Sequence, residues 1–243
     1  VIVAAACVLP LGMTDTIEIT SKDGHRFGAF IAGAADLPRG IVLIDSLPGD
    51  TPLVRRMAAR VAAFGYRVIA PNLVDRVERN ARLSYMPFEF ARSQALRDRL
   101  EPADVMLDVA ASCAVFGHER VGILGFGWGG AVAWHTAAIP GQCKAAACFY
   151  GEGIAKARDE ILQCPVHLAF GEGDHLIRLS DVELIRRAQP KVEIAVYPGS
   201  HDFACEEREL FSASAWEDAR ETMLAFLRRN LCEATICRGA RFR

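Results

Sequence analysis

Short apolar runs recur along this chain, most of them followed by a stretch patterned as a helix. Gly40–Ile44 (GIVLI), 66–70 (YRVIA), 121–124 (VGIL), 145–150 (AAACFY), 166–170 (VHLAF) and 192–197 (VEIAVY) are the strand candidates. Their length and apolar continuity suit strands buried on both faces of a parallel sheet. Between the first two, Thr51-Pro52 has the form of an N-cap followed by proline at the first helical position. Leu53, Met57 and Val61 then recur every fourth residue, and Gly65 supplies a stop. Further helices are expected around 103–116, 129–139, 181–189 and 213–230. Strand and helix in alternation predict an α/β fold: one domain with a mostly parallel, doubly wound sheet, helices on both faces and right-handed crossovers. Residues 16–31, which contain Asp23-Gly24, read as an antiparallel hairpin at the sheet edge. Residues 74–100 are the least regular. They read first as a solvated insertion and second as a loop near a substrate anion.

Composition narrows the function classes. The 243 residues suit one large α/β domain with a substantial core. With 28 basic and 30 acidic residues the net charge is −2, which argues against a nucleic-acid partner held by bulk electrostatics. Eight cysteines are too few for a disulfide scaffold, and none forms a CxxC pair. They read as small core or tail residues in a reducing compartment, so the expected location is cytoplasmic. No run is long and apolar enough for a membrane helix, and no membrane partner is expected. The apolar start VIVAAACVLPLG has no basic residue before it. Residues 1–15 are therefore expected to be an extension, with Met13 a candidate true start and a truncated signal peptide the second reading. The domain would span 16–231, and 232–243, with Cys232 and Cys237, would be a frayed tail. His167, His175 and His201 share no helical spacing, so neither a metal nor another cofactor is expected.

Residues 121–133 (VGILGFGWGGAVA) carry the chemistry. An apolar strand enters a turn of closely spaced glycines and leaves as a helix. One function needing that shape is a nucleophile elbow, G-x-Nu-x-G, where the turn lifts a side chain above the sheet. Another is a dinucleotide turn, G-x-G-x-x-G, where backbone amides approach a pyrophosphate. Gly125, Gly127 and Gly130 satisfy the second pattern, with Glu152 where a ribose-binding acid would stand. The rest of the chain favours the first. Asp174 follows the 166–170 run and His201 follows the 192–197 run, in the order expected of a triad hydrolase.

In combination, five motifs resemble the dienelactone hydrolase family of α/β-hydrolases over about 16–231. They are 41–49 (IVLIDSLPG), 65–71 (GYRVIAP), 121–130 (VGILGFGWGG), 171–175 (GEGDH) and 197–203 (YPGSHDF). The resemblance implies a small-molecule ester or lactone as substrate, His201 as base and Asp174 as its orienting acid. It also implies an oxyanion hole from the N–H groups of Leu47 and Trp128. Ser46, Phe126, Phe203 and Cys205 are candidates for the substrate pocket. Whether the protein is a monomer or a dimer is left open.

The departures fall on the chemistry. The family's elbow reads G-x-C-x-G-G, but Gly127 stands at the nucleophile position and has no side chain to attack a carbonyl. Ser46 replaces a glutamate, and Cys205 replaces an arginine that helps bind substrate. The sequence leaves four accounts of Gly127: a degenerate member that binds without turnover, an engineered or erroneous residue, a nucleophile relocated to Ser46, or direct water attack with His201 as base. Impaired hydrolysis is the expectation, with a small-molecule binder second and a dinucleotide enzyme a distant third.

Overall fold

The computed structural model describes residues 15–117 and 120–231. Eight strands form one sheet: β1 (Asp15–Thr20), β2 (Arg26–Ala32), β3 (Gly40–Ile44), β4 (Arg67–Pro71), β5 (Val121–Phe126), β6 (Ala145–Phe149), β7 (Val166–Gly171) and β8 (Glu193–Tyr197). Their order is β1-β2-β4-β3-β5-β6-β7-β8. The first two pairings, β1 with β2 and β2 with β4, are antiparallel, and the remainder are parallel. Every residue of β3, β5, β6 and β7 is buried, which explains their unbroken apolar runs. The edge strand β8 is mostly half-buried or exposed.

The helices are α1 (Pro52–Ala62), α2 (Pro87–Arg97), α3 (Pro102–Ala114), α4 (Trp128–Ala137), α5 (Leu179–Ala188) and α6 (Ala213–Leu231). The chain moves from β3 outward to β4, then returns across β3 to β5. Because crossovers are right-handed, this reversal puts α1 on one face and α3 with α4 on the other. On the face of α1, α6 closes over β5, β6 and β7. The Thr51 hydroxyl caps α1 by accepting from the Val54 N–H at 3.1 Å.

Residues 74–100 are exposed or half-buried over most of their length, as a solvated insertion would be, but they are not irregular. They hold a 3-10 turn at Leu73–Arg76 and the helix α2, anchored by buried Leu83, Tyr85, Ser93 and Leu96. The arginines mislead because Arg76 turns inward. Its guanidinium grips Asp108 of α3 at 2.7 and 2.9 Å and Asp23 of the β1–β2 hairpin at 2.6 Å. His25 stands 3.2 Å from the same Asp108, whose side chain is fully buried. A charge cluster thus fastens the hairpin to the parallel core.

The expected extension and tail, 1–15 and 232–243, lie outside the described residues except for Asp15, where β1 begins. No helix among the described residues is long and apolar enough to cross a membrane.

Candidate active site

The strand order reverses between β3 and β5, which makes the crevice beyond their C-terminal ends the natural ligand site of the sheet. Ser46 and Leu47 leave β3 on one side of it. Gly127 and Trp128 leave β5 on the other.

Gly127 has φ +53° and ψ −120°, a left-handed conformation that the turn into α4 imposes. Its N–H donates to the Phe149 carbonyl at 2.9 Å, and its own carbonyl accepts from Gly130 at 2.9 Å and Ala131 at 3.2 Å. The flanking glycines are required by close packing. A Cβ at Gly125 would strike the carbonyl of Gly129, one at Gly129 the carbonyl of Ile44, and one at Gly130 the carbonyl of Phe149. At each of these three glycines the space a side chain would need is taken by protein backbone. At Gly127 the obstacle is different: a Cβ there would fall on the hydroxyl of Ser46. That hydroxyl donates to the Phe126 carbonyl at 3.3 Å and is not hydrogen-bonded to His201 among the described residues. Ser46 therefore fills the space that a side chain at 127 would take, without a hydrogen bond to the imidazole.

Two turns that lock together position His201 and Asp174. The Gly173 N–H donates to the Gly199 carbonyl at 2.8 Å, and the Ser200 hydroxyl donates to the Gly173 carbonyl at 3.0 Å. His201 Nδ1 lies 2.9 Å from Asp174 Oδ2, and both residues are buried. The other carboxylate oxygen of Asp174 accepts the N–H groups of Leu176 at 2.8 Å and Ile177 at 2.9 Å. Burial pushes the Asp174 carboxyl upward, but these hydrogen bonds outweigh it and hold the group below its ordinary range. Burial likewise disfavours imidazolium at His201. The Asp174 bond and the charges of Asp202 and Glu152 outweigh that, and leave His201 above its ordinary value.

The N–H groups of Leu47 and Trp128 flank the crevice, and neither donates to another group among the described residues. Trp128 opens α4, so its N–H belongs to the first helical turn, where partners from the helix itself are lacking. Its indole borders a cavity of about 540 Å³ between α3 and α4, lined also by Val105, Met106, Val132 and Ile139.

The other pocket candidates lie deeper. Phe126 and Phe203 are fully buried in an aromatic cluster with Phe149 and Tyr150, beneath the crevice. Cys205 is buried too, and burial pushes its thiol far up, which disfavours the thiolate.

Several neighbours escaped the sequence reading. Glu152 lies 3.7 Å from His201 Nε2, so the residue read as a ribose-binding acid faces the imidazole. Asp202 is 3.8 Å from the same nitrogen, and the Tyr150 ring is 5.2 Å from that of His201. Tyr150 sits at φ +36°, a signal of local constraint that no sequence pattern announced. At the end of β3, buried Asp45 accepts the Tyr85 hydroxyl at 2.8 Å. Burial pushes the Asp45 carboxyl up to about 7, against the Tyr85 hydroxyl and the Ser46 N–H, which draw it down. No group of three or more His, Cys, Asp or Glu side chains among the described residues is arranged to hold a metal ion.

The family model of the dienelactone hydrolase family matches residues 27–231. A Synechocystis protein assigned as a carboxymethylenebutenolidase is 30% identical over 200 residues, covering 74% of this chain and 81% of that protein. The carboxymethylenebutenolidase of Pseudomonas putida is 28% identical over 229 residues, covering 88% and 96%. A solved structure from Klebsiella pneumoniae, assigned as a dienelactone hydrolase, superposes with a TM-score of 0.77. It is 27% identical, and the match covers 89% of this chain and 99% of that one.

Proposed function

The chain belongs to the dienelactone hydrolase family, and on that premise we propose that it hydrolyses small carboxylic esters or lactones slowly, by water attack rather than through an acyl-enzyme. The observation that carries this reading is a buried His201–Asp174 pair, beyond the C-terminal ends of β7 and β8, in a chain whose strand-to-helix turn after β5 has no side chain at Gly127. Asp174 accepts a hydrogen bond from the Nδ1–H of His201, which leaves the lone pair on Nε2 to act as the base. A water gives its proton to Nε2 as its oxygen bonds to the substrate carbonyl. The N–H groups of Leu47 and Trp128 receive the oxyanion, and His201 returns the proton to the departing alkoxide. Without a triad nucleophile, oxyanion stabilisation and binding still give rates on the order of 10³–10⁴ over water.

The test is turnover of an activated ester by the wild type and by His201→Ala. General-base assistance contributes about 10²–10⁴, so the variant should lose at least about 10²-fold. Equal rates would overturn the proposal. The pH profile adds a second readout. The base must be neutral, so kcat/KM should rise with pH through a midpoint above 6.5, because the His201 value is raised. Asp174→Asn removes the main stabiliser of imidazolium and should move that midpoint down. A midpoint that stays in place would argue that the pair does not act as written.

A second reading, binding without turnover, is favoured by the Ser46 hydroxyl standing in the nucleophile's seat. It expects saturable binding of a small acid or lactone, and no hydrolysis by either the wild type or His201→Ala. For the dinucleotide reading, an unchanged Trp128 fluorescence during titration with a nicotinamide dinucleotide would retire it.

A further inference from the structure

Cys143 and Cys164 are far apart in sequence and belong to no CxxC motif, yet their sulfurs lie 3.6 Å apart. Sheet register brings them together. Cys143 precedes β6 and Cys164 precedes β7, neighbouring parallel strands paired at Ala146 and Val166. The Ala146 N–H donates to the Pro165 carbonyl at 3.0 Å, and the Gln163 N–H donates to the Ala137 carbonyl at 2.8 Å. Both residues flanking Cys164 are thereby fixed, and the two thiols are held in contact. A disulfide needs about 2.05 Å between sulfurs, a short movement for side chains already touching.

We propose that Cys143 and Cys164 form a peroxide-responsive disulfide site, with Cys164 as the thiol that is oxidised first and Cys143 as the thiol that resolves it. Cys164 is half-buried and open to a small oxidant, whereas Cys143 is buried. The hydrogen bond from Cys143 lowers the Cys164 thiol, while the same bond and burial raise Cys143, so the outer sulfur gives up its proton more readily than the inner one. The Cys164 thiolate attacks hydrogen peroxide and breaks the O–O bond. Hydroxide leaves, taking up a proton to become water, and Cys164 becomes the sulfenic acid. The Cys143 sulfur then attacks that sulfur; its proton and the departing hydroxide form a second water. Two electrons pass from the thiols to one peroxide. Cys113 and Cys148 lie close by, but burial pushes Cys113 up to about 12 and Cys148 higher still, so neither competes as a thiolate. The bond would clamp the helix-free β6–β7 crossover at the N-terminal ends of both strands, at the end of the sheet opposite the crevice.

The full chain, folded and reduced, is treated with hydrogen peroxide, alkylated, digested and mapped by mass spectrometry. The expected product is a Cys143–Cys164 peptide pair, about 2 Da lighter than the sum of its thiols, with two fewer alkylated cysteines and reversal by dithiothreitol. The oxidised chain should also melt several degrees higher than the reduced one, since the cross-link restrains the unfolded chain. In Cys143→Ser, Cys164 should overoxidise to the sulfinic acid with no rise in melting temperature. In Cys164→Ser, Cys143 should remain alkylatable. A wild-type Cys164 that stays reduced or goes directly to sulfinic acid would overturn the proposal, as would a cross-link to any other cysteine.

Discussion

Gly127→Cys is expected to raise kcat/KM for an activated ester by about 10²–10³, and to produce a burst of product as an acyl-enzyme accumulates. The elbow would present the thiol from the C-terminal end of β5, beside the Leu47 and Trp128 N–H groups and at the same end of the sheet as His201. Two obstacles temper the gain. A non-glycine residue at φ +53° costs about 1–3 kcal/mol, and the Ser46 hydroxyl must vacate the seat. The double variant Gly127→Cys, Ser46→Ala removes the second obstacle and should exceed the single variant. Intact-mass spectrometry should detect an added acyl group on the Gly127→Cys variant and not on the parent. If neither variant gains activity, position 127 is not the seat of a nucleophile. Ser46→Ala in the parent background separates the relocated nucleophile from water attack. Water attack predicts little loss, because Ser46 is not bonded to His201.

The second large effect concerns stability. Arg76→Ala should destabilise the fold by about 3–5 kcal/mol, because it leaves the carboxylate of Asp108 buried without its guanidinium. For a domain of this size that corresponds to a fall of about 10 °C in Tm. The Asp108 side chain is fully buried and Arg76 only 11% exposed, so solvent screens the pair little. Replacing both partners with apolar residues of similar volume should recover much of the loss, since a lone buried charge costs more than an absent pair. Thermal melts of the single and double variants check this. A single variant within about 1 °C of the parent would show that water reaches Asp108 and solvates it.

Much of the fold was legible along the chain. Buried parallel strands carry continuous apolar runs, and β3, β4, β5, β6, β7 and β8 lie where those runs predicted, within a residue or two. The Thr51 cap and the β1–β2 hairpin were readable because capping and tight turns are decided by adjacent residues. The motifs that resemble the dienelactone hydrolase family were equally local. Reading failed where a side chain's environment comes from distant segments. The arginine-rich stretch 74–100 looked solvated, yet Arg76 faces a buried acid from α3 and forms part of the scaffold. Phe126 and Phe203 flank site residues in sequence, but alternation and the turn after β8 send their rings into the core.

Local composition and spacing were enough to predict the alternating architecture, and the resemblance to the family singled out Gly127, Asp174 and His201. Three other facts emerged from the folded chain alone. The Ser46 hydroxyl fills the space above Gly127, Glu152 faces His201, and Cys143 touches Cys164. Those are distances between loops whose ends are set by strand order and register. Such contacts exist only once the buried sheet has brought the loops at each of its two ends together.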